Sequence, residues 1–455
     1  MQKYIDNMKN KTSCGFDEIS NRFLKIVSHV IVPYLVTLIN ESFILGIFPS
    51  CLKTAKVIPI FKEGDKNDFG NYRPISLLSA LSKIIERAIH ARIVNFFDKN
   101  NLWYSMQYGF RSKRGTVDAI IELLEQISNE KTHCEAILLD LTKAFDTVKI
   151  SLLVEKLERY GIRGICLKLL QSYLESRKQY LQIFDAISET IPILHGVPQG
   201  SVLGPLLFII YINDLPEVLK ASHTYLFADD TALIKKGNKT HTDFQDDIGN
   251  IENWTKNNYL VINPKKSKYL CFSTNKVTNK TVNICCKTIK NEKFAKYLGV
   301  LIDDKFSFLE HVSYVCKKIS IQGGLIRQMK DILIRDHILL FYNAYIKLRI
   351  QYAILAYGNC KFTQIDDIVK IQKRIVRTIF SVKKFDSVSQ IMIQNKIYTA
   401  HELYVYELLK TIVKNKTKIC PGTRTSKLLE DDSQNTYLTR YKTKSLLSES
   451  SYKSK

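Results

Sequence analysis

Tyr225-Leu226-Phe227-Ala228-Asp229-Asp230-Thr231-Ala232-Leu233-Ile234 decides how this chain is read. Two adjacent carboxylates interrupt two apolar runs, the pattern of a tight β-hairpin with charge at its tip. Strands of that composition are half buried, so two acids beside them are costly unless something binds them. A divalent cation such as Mg²⁺ suits such hard oxygen ligands. A lone acid pair at a turn is more commonly a solvated surface feature, so the reading needs a second site.

That site lies upstream. Ala136-Ile137-Leu138-Leu139-Asp140-Leu141-Thr142-Lys143-Ala144-Phe145-Asp146 is an apolar strand ending on an acid and turning into a polar, helix-prone stretch. A strand end can present Asp140 to Asp229 and Asp230. Two Mg²⁺ ions (the cofactor expected here) held by such carboxylates can activate an attacking 3′ hydroxyl and stabilise a leaving pyrophosphate. Between the acid sites runs His195-Gly196-Val197-Pro198-Gln199-Gly200-Ser201-Val202-Leu203-Gly204-Pro205-Leu206-Leu207-Phe208. Its small residues lead into an apolar helix, expected from Leu206 through Ile212. Small residues there let backbone approach a ligand closely, as at phosphate or nucleotide sites. Alone, the block is equally an ordinary loop and helix start.

In this order the three blocks resemble a reverse transcriptase, most closely the polymerases of non-LTR (LINE-type, jockey-like) retrotransposons. Lys56-Val57-Ile58-Pro59-Ile60-Phe61-Lys62 and Asn71-Tyr72-Arg73-Pro74-Ile75-Ser76-Leu77-Leu78 resemble the fingers motifs of that family. Gln107-Tyr108-Gly109-Phe110-Arg111, with Thr116-Val117-Asp118-Ala119-Ile120, resembles the next. Leu260-Val261-Ile262-Asn263-Pro264-Lys265-Lys266-Ser267 is similar to the lysine motif after the catalytic hairpin, and Lys296-Tyr297-Leu298-Gly299-Val300 to the primer-grip region. The likeness runs from about Lys11 to about Gly358. It departs at Cys14 and Phe16, where the family usually has Pro, and at Asn359-Cys360, where a Trp-Gly pair usually follows.

The resemblance implies an α+β right-hand polymerase with fingers, a ferredoxin-like palm and a helical thumb. The expected divisions are an N-terminal helical extension (1–55), fingers (56–135), palm (136–304), thumb (305–385) and a basic C-terminal region (386–455), polar and disordered after about Pro421. It implies an RNA-directed DNA polymerase that joins a dNTP to a DNA primer on an RNA template. Asp140, Asp229 and Asp230 would hold the metal ions, with the Leu141 carbonyl as a further ligand. Phe145 would be the steric gate against a ribose 2′-OH. Lys62 and Arg73 would hold the triphosphate, since charged donors bind phosphate strongly. Gln199 and Gly200 would line the nucleotide, and Lys266 would serve as general acid for pyrophosphate departure. Asp146 would brace the motif. A second reading is an inactive nucleic-acid-binding remnant of a retroelement; the intact acids, Phe145 and Gln199-Gly200 argue against it. A third, a metal-dependent nuclease or phosphatase, gives no account of Gly196 to Gly204.

Composition agrees with a polyanionic partner. The 455 residues are 45% hydrophobic and 24% charged, with a net charge of +23, and the sequence pI is near 9.4. From Lys305 to Lys455 there are 27 Lys and Arg against 12 Asp and Glu, so about two-thirds of the excess sits in the last third. Such a balance suits nucleic acid. Ten cysteines are scattered without a C-x₂-C pair, which reads as reduced thiols in an intracellular protein of nucleus or cytoplasm, with no zinc knuckle. Met1 to Thr12 is polar, so no signal peptide is expected. Ile26 to Ile39 holds His29 and Pro33 and is too short to span, so no membrane partner is expected. Neither the endonuclease that LINE-type elements place ahead of the polymerase nor an RNase H pattern is expected in this chain.

Overall fold

The computed structural model describes residues 1–62, 64–128, 133–237, 241–273 and 280–414. The tail expected to be disordered lies outside the described residues, as does Glu63 of a turn cluster. The chain divides into two units, Met1–Ala119 with Thr132–Lys293, and Ile120–Lys131 with Phe294–Lys455.

In the first unit the strands are β1 (Thr54–Phe61), β2 (Tyr72–Leu77), β3 (His133–Leu139), β4 (Lys178–Ile183), β5 (Ala186–Ile187), β6 (Ile191–Pro192), β7 (His223–Phe227), β8 (Asp230–Lys236), β9 (Lys268–Ser273), β10 (Thr281–Ile284) and β11 (Lys287–Lys290). β7, β8, β3 and β9 lie side by side in that order, each pair antiparallel. Helices and the strands β4 to β6 of the second sheet lie between β3 and β7, and one helix, His241–Asn257, connects β8 to β9. This β-α-β-β-α-β path with β3 and β8 central is the ferredoxin-like arrangement. β3 is central because Cys134 to Leu139 can be buried on both faces, and all six are buried. Beneath the sheet runs the helix Leu203–Tyr211, buried on every side except at Pro205. A helix apolar all round belongs in a core, and each of its large side chains contributes about 2 kcal/mol by leaving water.

A second sheet runs β2-β1-β4-β5, with β6 also on β4. β2 carries Pro74, which an edge strand tolerates because no ladder donor is needed on its open side. The helix Ala80–Lys99 starts at Ser79, whose hydroxyl accepts from the Leu81 N–H. Ile26 to Ile39, expected to be too short to span, is part of a longer element. It falls largely within one continuous helix, Ser28–Leu45, ending at Gly46 in the left-handed conformation. Pro33 forfeits one intrahelical bond, and the helix runs on past it. By length and composition that helix could cross a membrane (mean hydropathy 1.4), and it is only 22% buried in the structure.

The second unit opens on a hairpin of β12 (Phe294–Tyr297) and β13 (Val300–Asp303). Leu298 and Gly299 both take positive φ, and two such residues make the tight hairpin turn. Helix Leu309–Met329 packs along Phe362–Phe380, burying Val312, Val315, Ile319 and Ile326 with Ile368, Val369, Ile375, Val376 and Ile379. Near-continuous helical backbone from Arg335 to Gln351 includes a π-helical stretch, Tyr342–Lys347. Buried Gln372 donates to the Tyr342 hydroxyl and the Tyr398 carbonyl and accepts from the Ala400 N–H. Among the described residues nine cysteines are free thiols.

Candidate active site

β7 and β8 close on a two-residue turn. Phe227 pairs with Asp230, leaving Ala228 and Asp229 at the tip. On the other side of β8, Leu139 pairs with Thr231. One further step in that antiparallel register sets Asp140 opposite Asp230, a separation of about 5 Å between backbones. The three acids therefore meet at one end of the sheet.

Their electrostatics show what such a meeting costs. Burial pushes the Asp229 carboxyl up, its own backbone N–H pulls it back, Asp140 pushes it up again, and Arg73 lowers it. Burial of its carboxyl, then the charges of Asp229 and Asp140, push Asp230 up to about 6. Asp230 remains open to solvent, so screening tempers the repulsion. Like charges this close disfavour joint ionisation unless a cation joins them. The carboxylate donor set fits a hard divalent cation.

The neighbouring segment fixes Asp140 by its backbone. Its carbonyl accepts from the Asn263 N–H at 2.8 Å, and the Thr142 N–H donates to Val261 at 2.8 Å. Those two bonds flank Leu141, bridged to Ile262, and spare the Leu141 carbonyl. The Ser267 hydroxyl accepts from the Asp140 N–H at 3.3 Å and donates to Asn263 at 2.8 Å. Lys266 stands beside it with an exposed side chain.

On the second sheet, Arg73 pairs with Ile60 and the Lys62 N–H donates to Asn71. Alternation then puts Lys62 and Arg73 on one face of the β1–β2 hairpin. Both are exposed; the charge of Arg73 reaches Asp229. Phe145 lies half-buried, its ring stacked on buried Phe208 at 4.5 Å and edge-on to Phe110 at 6.3 Å.

Gln199 and Gly200 have structural employment. The Gln199 amide donates to Asp146 at 2.8 Å, and its carbonyl accepts from the Ser76 N–H at 2.8 Å. Gly200 holds φ +117°, and a Cβ there would stand 2.4 Å from the Ser76 carbonyl oxygen. Asp146 braces this loop, as expected of it. The helix start that follows is Leu203, earlier than expected, and its first amides face protein rather than open space. Glu86, wholly buried on Ala80–Lys99, accepts from the Val202 N–H at 2.6 Å and the Leu203 N–H at 3.2 Å. A phosphate therefore has no vacancy at that helix N-terminus.

Gln107 is a residue whose role the sequence left unassigned. Its buried carboxamide oxygen accepts from the Gly109 N–H at 2.8 Å and the Ala228 N–H at 3.3 Å. Ala228 holds φ +55°, which costs a non-glycine residue about 1–2 kcal/mol. A Cβ at Gly109 would stand 2.4 Å from the Ala228 nitrogen, so only glycine lets this segment support the turn. Gln107→Met fills the same volume without the acceptor. It is expected to raise the divalent-cation concentration for half-maximal activity about tenfold, as loss of support behind metal ligands does. A metal titration of activity checks this; an unchanged midpoint removes Gln107 from the positioning of Asp229.

A different cluster sits toward the far end of β3, where His133, Glu135 and Cys271 approach one another. Lys280 lies 2.8 Å from His133 and 3.2 Å from Glu135, and Lys235 3.7 Å from Glu135. Buried Glu135 is held at about 2; burial opposes this, but the Tyr269 hydroxyl, Lys280 and His241 outweigh it. Ammonium groups already supply the positive charge there.

A family model described as reverse transcriptase (RNA-dependent DNA polymerase) matches residues 62–302. The chain is 33% identical over 320 residues to a probable RNA-directed DNA polymerase from transposon X-element of Drosophila melanogaster, covering 68% of this chain and 35% of that protein. It is 30% identical to the corresponding protein from transposon BS (69% and 36% covered) and 29% identical to the RNA-directed DNA polymerase from mobile element jockey (69% and 36% covered), both of the same organism. The chain thus spans about a third of the length of the curated relatives it matches.

Proposed function

Because this chain belongs to the reverse transcriptases of the non-LTR, LINE-type retrotransposons, we propose that it is an RNA-directed DNA polymerase, extending a DNA primer with dNTPs along an RNA template. The observation that carries the reading is the register that brings Asp140 beside Asp229 and Asp230, with burial first and then mutual repulsion raising the latter two. Divalent cations go with this family; the proposal is two Mg²⁺ ions on Asp140, Asp229 and Asp230, with the spared Leu141 carbonyl alongside. Bound there, they would supply the charge that activates the primer hydroxyl and steadies the departing pyrophosphate.

The chain's own residues set the rest. Arg73 and Lys62, on one strand face, would orient the triphosphate. Lys266, exposed beside the Asp140 loop, would give the leaving pyrophosphate its proton. Gln199 and Gly200, bound to Asp146 and β2, would form the wall of the nucleotide pocket. The intracellular location, nuclear or cytoplasmic, stays part of the proposal and rests on the free thiols. Primer extension on poly(rA)/oligo(dT) with Mg²⁺ tests the function; absence of incorporation by soluble, folded protein overturns it.

Phe145 would exclude the ribose 2′-OH by bulk. Its ring is held by Phe208, so it cannot swing aside cheaply. Phe145→Val is expected to narrow the preference for dNTP over rNTP by about 100-fold, the scale of a site whose rejection is steric. Ratios of kcat/KM for dTTP and UTP give the answer; unchanged selectivity assigns Phe145 to the core alone.

A further inference from the structure

Phe145 is covered on one face by Phe208, with 4.5 Å between ring centroids and 29° between planes. A stacked neighbour stops a ring moving along its own normal and leaves it free to slide in its plane. Phe110 meets that second freedom. Its ring centroid lies 6.3 Å from that of Phe145, with the planes at 89°. Edge-to-face packing of this kind is attractive and directional. The Phe145 backbone is itself pinned, its carbonyl accepting from the Val197 N–H at 2.9 Å. Motion of the side chain is what remains to be restrained.

Burial does not put Phe110 there. The residue is 53% exposed, and its backbone holds φ +54°, a conformation unusual for a bulky side chain. Anchors on both sides impose it. The Tyr108 N–H donates to the Leu226 carbonyl at 2.8 Å, and the Leu226 N–H to the Met106 carbonyl at 3.0 Å, which lays the segment along β7. Beyond Phe110, Arg111 donates to the Tyr104 carbonyl at 3.3 Å and lies over the Trp103 ring. Backbone strain persists only where the surroundings impose it, and it clusters at functional sites. The same short segment supports the acid turn through Gln107 and Gly109.

We propose that Phe110 is a positioning residue for sugar selection, holding the Phe145 ring where that ring excludes a ribose 2′-OH. The inference rests on the proposed function and on the role given there to Phe145, and adds a second ring to that role. One segment, Gln107 to Phe110, then serves both the acid turn and the gate.

The test compares kcat/KM for dTTP and UTP in primer extension on poly(rA)/oligo(dT) by the full chain. F110A is expected to narrow the preference for dTTP about fivefold, the scale of one edge-to-face ring contact. F110Y keeps the ring edge and is expected to stay within about twofold of the starting protein. F110A/F145V is expected to match F145V, because a brace has no effect once the ring it holds is gone. Phe110 is more than half exposed, so its truncation leaves the fold in place. An unchanged ratio in F110A, or equal losses in F110A and F110Y, overturns the proposal. So does a loss in F110A that multiplies in full onto that of F145V, which would make Phe110 act independently of the gate ring. If the starting protein prefers dTTP and F110A keeps that preference, this inference alone fails. If the starting protein extends no primer, the polymerase reading fails and takes this inference with it.

Discussion

Asp229→Asn and Asp140→Asn are each expected to reduce primer extension on poly(rA)/oligo(dT) by about 10³-fold or more. The size follows from losing several kcal/mol of charge stabilisation at about tenfold per 1.36 kcal/mol. Asparagine keeps shape and hydrogen bonding, so the helical spectrum should not change. A companion result has a definite sign. Asp230, pushed to about 6, holds its proton in the folded protein at pH values where the unfolded chain has released it. Without metal, stability is therefore lost as pH rises through the window from about 4 to about 6. A cation bound at pH 7.5 relieves that repulsion, so millimolar Mg²⁺ should raise the melting temperature at pH 7.5 and far less at pH 5. Asp230→Asn should raise the melting temperature of the metal-free protein at pH 7.5 and abolish most of the Mg²⁺ increment. A melting temperature indifferent to Mg²⁺ in the starting protein would remove the metal site, whatever the activity assay says.

The acids were legible because each breaks an apolar run, and strand ends in such runs leave few places to go. The hairpin and the central strand followed from the same apolar runs. What the sequence hid depends on contacts remote along the chain. Gln107 sits 121 residues from the amide it supports. Gly200 looked like room for a ligand, and its missing Cβ makes room for the backbone of Ser76. β2 escaped notice as a strand because Pro74 interrupts it, a residue tolerated only because β2 is at an edge. Leu298-Gly299 lies inside the family-like block Lys296 to Val300, and its turn puts a leucine at positive φ, which local pattern does not suggest. In each case local pattern supplied the element and tertiary contact supplied its purpose.

Glu86 shows the same lesson at its most costly, and replacing it should destabilise the first unit more than any surface change. In sequence it is one acid on a helix, among Ser82-Lys83-Ile84-Ile85-Glu86-Arg87, indistinguishable from a solvated residue. In the structure it has no exposed surface, and burial raises its pKa against the pull of Ser82, Arg177 and the two amides. One oxygen takes the Ser82 hydroxyl at 2.8 Å, and the other caps Val202 and Leu203. Arg177, itself buried, is the opposing charge; its guanidinium donates to the Tyr173 carbonyl. Glu86→Ala orphans two amides and leaves Arg177 uncompensated, a loss of about 3–5 kcal/mol. For a protein of ordinary stability that is a large part of the total, and urea denaturation followed by Trp fluorescence should register it. Glu86→Gln keeps an acceptor and should cost less than half as much. Pairing Glu86→Gln with Arg177→Met should cost less than the sum of the two, since the second change removes the charge that the first left unmatched. Additive losses would mean that the carboxylate acts as a cap alone. A Glu86→Ala loss below about 1 kcal/mol would mean that the start of the Leu203–Tyr211 helix, and with it the loop carrying Gln199, is held by something else.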